Sequence, residues 1–94
     1  MLITNEIASI TILLPFQKGN ELVNQIIPFK VFRQEEKYKA IPLISLEDRK
    51  DTGLSEELCF TLRQNRIVAD AETNAAGINA INNIAGELRL LHIV

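Results

Sequence analysis

The chain reads as an α+β domain: a small, mainly antiparallel sheet of four to five strands, with an amphipathic helix at the C-terminus covering one face. Three observations converge on this. Up to Ala69 the apolar residues recur mostly with a period of two, "IASITILLPF" being the plainest case. From Asp70 onward they recur every three to four positions, as on one face of a helix. The 94 residues are 47% hydrophobic and 23% charged, the balance of a globular chain that can feed one core, so residues 1–94 are expected to form one domain.

The first strand spans Ile7 to Phe16, where Ala8, Ile10, Ile12, Leu14 and Phe16 take one side and Ser9 and Thr11 the other. "QKGN" supplies a turn in which Gly19 and Asn20 tolerate positive φ, and a second strand runs through Ile27 to Val31. The stretch "FKVFRQEEKYKAIPLI" is a hairpin whose register decides which side chains share a face. A three-residue loop around Glu35 and Glu36 sets Ile27, Phe29 and Val31 beside Ile41 and Leu43, with Lys30, Phe32, Tyr38 and Ala40 opposite. A four-residue loop mixes apolar and charged residues on both faces, so the odd-length loop is expected.

In "SLEDRKDTG", Ser45 and Asp48 have the spacing of a capping box and Gly53 is a stop signal, which predicts a short helix. A second hairpin follows in "LSEELCFTLRQNRIVAD". A turn at Gln64 and Asn65 sets Leu62 opposite Ile67 and Phe60 opposite Ala69. Pro15, Pro28 and Pro42 each fall in or beside a strand and remove a ladder donor, so at least one strand must end or bulge at its proline. In the last segment Asp70 is the expected N-cap, with Glu72 placed to favour the helix dipole. Ile78, Ile81, Ile84, Ala85, Leu88 and Leu91 then share one arc of the helix, and Asn79, Asn82, Asn83, Gly86 and Glu87 lie outside it. Gly77 and Gly86 each weaken that helix by roughly 1 kcal/mol relative to alanine.

The chemistry-bearing residues are sparse. His92 is the one histidine and sits near the chain's end, where an ordinary helix-end residue is the simpler reading than a catalytic base. Cys59, the one cysteine, follows a strand pattern without the electropositive surroundings that activate a thiol, and reads as structural. The adjacent acids Glu35 with Glu36 and Glu56 with Glu57 point apart in extended backbone. There is no phosphate-binding glycine loop or nucleophile elbow. No catalytic, cofactor or metal site is assigned, and a non-enzymatic role is expected.

Two surfaces remain. Lys30, Arg33, Lys37 and Lys39, joined by Arg63 and Arg66, form a basic cluster interleaved with Phe32 and Tyr38, the composition that binds single-stranded nucleic acid. Glu35 and Glu36 at the loop tip and a net charge of −2, from 10 basic and 12 acidic residues, oppose that role. The other surface is "ELRLLHIV". There Leu90 and Val94 carry apolar character onto the polar side of the helix, so Leu88, Leu90, Leu91, Ile93 and Val94 form the expected protein interface. The expected partner is a second copy of the chain or another protein. The N-terminal stretch lacks the basic residues of a secretory leader, and no apolar run approaches the ~20 residues of a membrane span. A cytoplasmic protein without membrane contact is therefore expected.

Overall fold

A computed structural model describes residues 5–63 and 66–91, except for the Lys18 side chain. Five strands, β1 (Asn5–Lys18), β2 (Glu21–Gln34), β3 (Lys37–Pro42), β4 (Leu58–Arg63) and β5 (Arg66–Ala69), form an antiparallel meander in which each pairs with its neighbour in sequence. Helix α1 (Leu46–Thr52) links β3 to β4, and helix α2 (Ala75–Leu90) follows β5. Helix α2 packs against β1 at one edge and β4 and β5 at the other, so the sheet curls around it. The α+β arrangement expected from the sequence is the one found. No described helix is long and apolar enough to cross a membrane.

The alternation of β1 sends Ile10, Ile12 and Leu14 into the core beneath α2, opposite Phe29, Ile27 and Gln25 of β2. The register shifts at Ile7, a bulge that ends the regular run of β1 on its N-terminal side. Gly19, at φ 63°, makes the two-residue turn into β2, whereas Asn20 keeps a negative φ. Strand β2 is far longer than Ile27–Val31 because it pairs along the whole of β1. Fourteen residues at about 3.4 Å each span about 48 Å, which accounts for the 43 Å long axis of the molecule.

The prolines decide where this hairpin stands alone. Leu43 N donates to Pro28 O at 2.8 Å, so by antiparallel alternation the missing Pro28 N–H also faces β3. The β2–β3 ladder stops there, and β3 ends at Pro42. Among the described residues, 21–27 of β2 therefore have no strand on that side, and the distal half of β1–β2 is a two-stranded ribbon.

The β2–β3 register differs from the odd-loop expectation. Gln34 pairs with Lys37 across a two-residue turn, which places Tyr38, Ala40 and Pro42 in the inner row with Phe29 and Val31. Glu35 accepts φ 58° without being glycine, and its carbonyl takes a 2.9 Å bond from Arg33 Nε. The compensation lies in the core. Tyr38 is buried with its ring centroid 5.5 Å from that of Phe60, and the Arg33 guanidinium lies 5.5 Å from the Tyr38 ring. Ile41 and Leu43 go to the outer face instead.

Both helices start from side-chain caps. Ser45 Oγ accepts from Asp48 N at 3.1 Å, and Gly53 closes α1 at φ 74°, as expected. For α2 the N-cap is Asn74, not Asp70. Asn74 Oδ1 accepts from Gly77 N at 2.8 Å while its Nδ2 donates to Gly53 O at 2.7 Å, tying the two helices together. Asp70 is still held by the sheet, its N–H bonded to Cys59 O at 3.2 Å, so Glu72 lies before the helix. The buried side of α2 is Gly77, Ala80, Ile81, Ile84, Ala85 and Leu88, with Ile78 and Leu91 exposed at its margins. The second hairpin has the expected pairs Leu62 with Ile67 and Phe60 with Ala69, while its turn, Gln64 and Asn65, is outside the described residues.

Candidate protein interaction surface

With α2 over the inner face, the outer face of the sheet is left to two groups of side chains, one at each end. Toward the body, β2 contributes Lys30 and Phe32, β3 Lys37 and Lys39, β4 Cys59 and Arg63, and β5 Arg66. Five of the six basic residues singled out in sequence thus share one face. Arg33 does not: its register partner is Tyr38, so it belongs to the rim of the inner face.

Acids interrupt this positive group. Arg63 Nη2 donates to Glu36 Oε2 at 2.6 Å, and Lys39 Nζ lies 3.4 Å from Glu57 Oε2. The hydrogen bond and charge of Glu36 push the Arg63 pKa up, holding its proton more firmly. Arg63 and Arg66 face each other across the end of β4–β5, and with Glu36, Thr61 and Val68 they line an open depression of about 520 Å³. A smaller depression, about 110 Å³, runs between Phe32, Lys37, Lys39 and Cys59.

Cys59 is half-buried there. Burial pushes its thiol pKa up, and Asp70 and Glu57 push the same way against the weaker opposite pull of Lys39 and Lys37. A neutral thiol is a poor nucleophile, so its setting matches a packing role.

The other end of the outer face is apolar. Leu13 of β1 lies directly opposite Ile26 of β2, at 59% and 67% exposure. Pro28 stands beside them, hydrogen-bonded through its carbonyl to Leu43, itself 46% exposed, and Ile41 is opposite Lys30. Leu22 extends the row toward the ribbon tip. Sequence reasoning missed this surface because it assigned Ile41 and Leu43 to the core. The signal was present in Leu13, Leu22 and Ile26, which fall on the polar parity of β1 and β2.

The C-terminal group divides. Leu88 is fully buried against the sheet and is part of the core, whereas Leu90 and Leu91 are exposed at the end of α2. Ile93 and Val94, like His92, lie outside the described residues. The chain matches no protein-family model, no curated protein and no solved structure.

Proposed function

We propose that this is a non-enzymatic assembly module that associates with a second copy of itself through the apolar end of the sheet's outer face. The observation that carries the reading is the contiguous group Leu13, Ile26, Pro28, Ile41 and Leu43, which no described element covers and which holds no acid. Scattered exposed leucines need no explanation, but a contiguous apolar patch on a sheet whose other face is occupied marks an interface. A domain this small buries only roughly 60 to 65% of its unfolded surface, and association adds stability by mass action.

Exchanging Ile26 and Leu43 for lysine tests it. Both side chains are solvent-exposed in the monomer, so folding stability should move by no more than about 0.5 kcal/mol per site, while the oligomer seen by light scattering should lose mass. An unchanged oligomer would remove the patch from the account.

The exposed Leu90 and Leu91 are a competing surface, and truncation after Arg89 separates the two: association persists if the sheet carries it. A second reading, a nucleic-acid accessory factor, is favoured by the shared face of Lys30, Lys37, Lys39, Arg63, Arg66 and Phe32. It predicts oligonucleotide binding that weakens steeply with salt. With Glu36 and Glu57 paired into the group, we expect no such binding in physiological salt.

A further inference from the structure

Among the described residues, strand β1 is an edge, with β2 on one side and no strand on the other. Its backbone assigns which groups are free. Lys18 and Glu21 flank a two-residue turn and so exchange hydrogen bonds, which by alternation turns Phe16, Leu14, Ile12, Ile10 and Ala8 toward β2. Ser9, Thr11, Leu13, Pro15 and Gln17 consequently aim their backbone polar groups at the open edge.

Natural edge strands are blunted by charge, by shortness, by proline or by bulges. The opposite edge, β5, has only four residues. Strand β1 has 14, and its two charges, Glu6 and Lys18, stand near its ends. Between them the run Ala8–Leu14 holds no charge and is rich in the β-branched residues that favour strands. The bulge at Ile7 and the ring of Pro15 bracket this run without interrupting it.

We propose that β1 pairs antiparallel with β1 of a second copy about a two-fold axis through Thr11, joining two meanders into one continuous sheet. This rests on the self-association reading above and adds an edge contact to the outer-face one. The register follows from the two interruptions. With Thr11 opposite Thr11 of the second copy, Ser9 falls opposite Leu13, and each outward donor of the run meets an acceptor. Pro15, which lacks a donor, then falls opposite Ile7, where the bulge has already ended the regular strand. A shift that centres the axis on Ile12 would set Pro15 opposite Ser9 and leave the Ser9 carbonyl without a donor.

Side chains agree with this register. The pairing places two threonines side by side at the axis, a favourable cross-strand combination. A two-fold axis perpendicular to the sheet also keeps both outer faces on the same side, so the Leu13 and Ile26 patches of the copies merge into one surface.

Crosslinking reads the register. In a chain carrying Cys59→Ser, Thr11→Cys should form an intermolecular disulfide on mild oxidation, because directly opposed hydrogen-bonded residues sit about 5.5 Å apart between Cα atoms, within disulfide reach. Leu13→Cys should not, since its opposite residue is Ser9. Thr11→Pro removes an edge-facing donor from each copy and should weaken the dimer about 10- to 100-fold while leaving the monomer folded. Should that variant fail to fold, Thr11→Lys serves in its place and should also dissociate the dimer. A dimer that survives Thr11→Pro or Thr11→Lys, or crosslinks through Leu13→Cys in preference to Thr11→Cys, overturns the edge pairing but leaves self-association standing. A wild-type protein that is monomeric at millimolar concentration overturns both.

Discussion

Glu35 and Cys59 show how single side chains carry the cost of a shared surface. Glu35 is the one non-glycine residue at positive φ among those described, in a turn that fixes the register of β2 on β3. Holding an L-residue there costs about 1–2 kcal/mol, so Glu35→Gly should raise the unfolding free energy by about 1 kcal/mol in denaturant titrations once glycine's extra chain entropy is subtracted. A loss of stability would mean that the glutamate side chain contributes something its backbone does not reveal. For Cys59 the raised pKa has a definite sign. The folded state holds the thiol proton to higher pH than the unfolded chain does, so the contribution to stability is complete below the unfolded thiol pKa and is lost as pH rises through the folded one. Alkylation of native protein should therefore be slower near neutral pH than that of an unfolded peptide and should accelerate at alkaline pH, and Cys59→Val should leave association intact. Fast alkylation at neutral pH would contradict the assignment of this thiol to packing.

Among the elements, α2 offers a paired test, because its two glycines look alike in sequence and differ in place. A Cβ on Gly77 would lie 2.7 Å from Thr73 Cγ2 and 3.2 Å from both Asn74 Oδ1 and Leu58 Cδ2, so this glycine lets the capped first turn approach β4. A Cβ on Gly86 would meet nothing within 4 Å. Gly86→Ala should accordingly stabilise the fold by about 0.5–1 kcal/mol through helix propensity alone, whereas Gly77→Ala should destabilise it despite the same propensity gain. Equal effects at the two positions in thermal unfolding would show that α2 does not seat on β4 as described. Much of the element plan was legible in the sequence: the alternation of β1, the Ser45 and Gly53 caps of α1, and the Leu62–Ile67 pairing each rest on local rules. The β2–β3 register was not. Both parities of residues 38–43 carry apolar side chains, Tyr38, Ala40 and Pro42 against Ile41 and Leu43, and no glycine marks the turn. Only burial of Tyr38 against Phe60 of β4, a contact distant in sequence, decides between them.

At the level of the whole molecule, that one-residue difference is what creates the candidate surface. Turning Ile41 and Leu43 outward places them beside Pro28, Ile26 and Leu13, while Pro28 and Pro42 free the distal half of the β1–β2 hairpin from β3. The basic residues were easy to name in sequence, but the acids that pair with them were not. Glu36 reaches Arg63 and Glu57 reaches Lys39 only after the meander has brought their strands together. Helix α2 occupies the inner face, the charged end of the outer face is partly neutralised, and the apolar end stays open beside the uncharged edge of β1. Sedimentation equilibrium of the wild-type chain from micromolar to millimolar concentration tests whether that opening is an interface. The mass should rise from the 10.6 kDa of one chain to at least that of a dimer, with little loss of affinity at high salt because the outer-face contact is apolar and the edge contact backbone-bonded. A mass that stays at 10.6 kDa up to millimolar protein would contradict it.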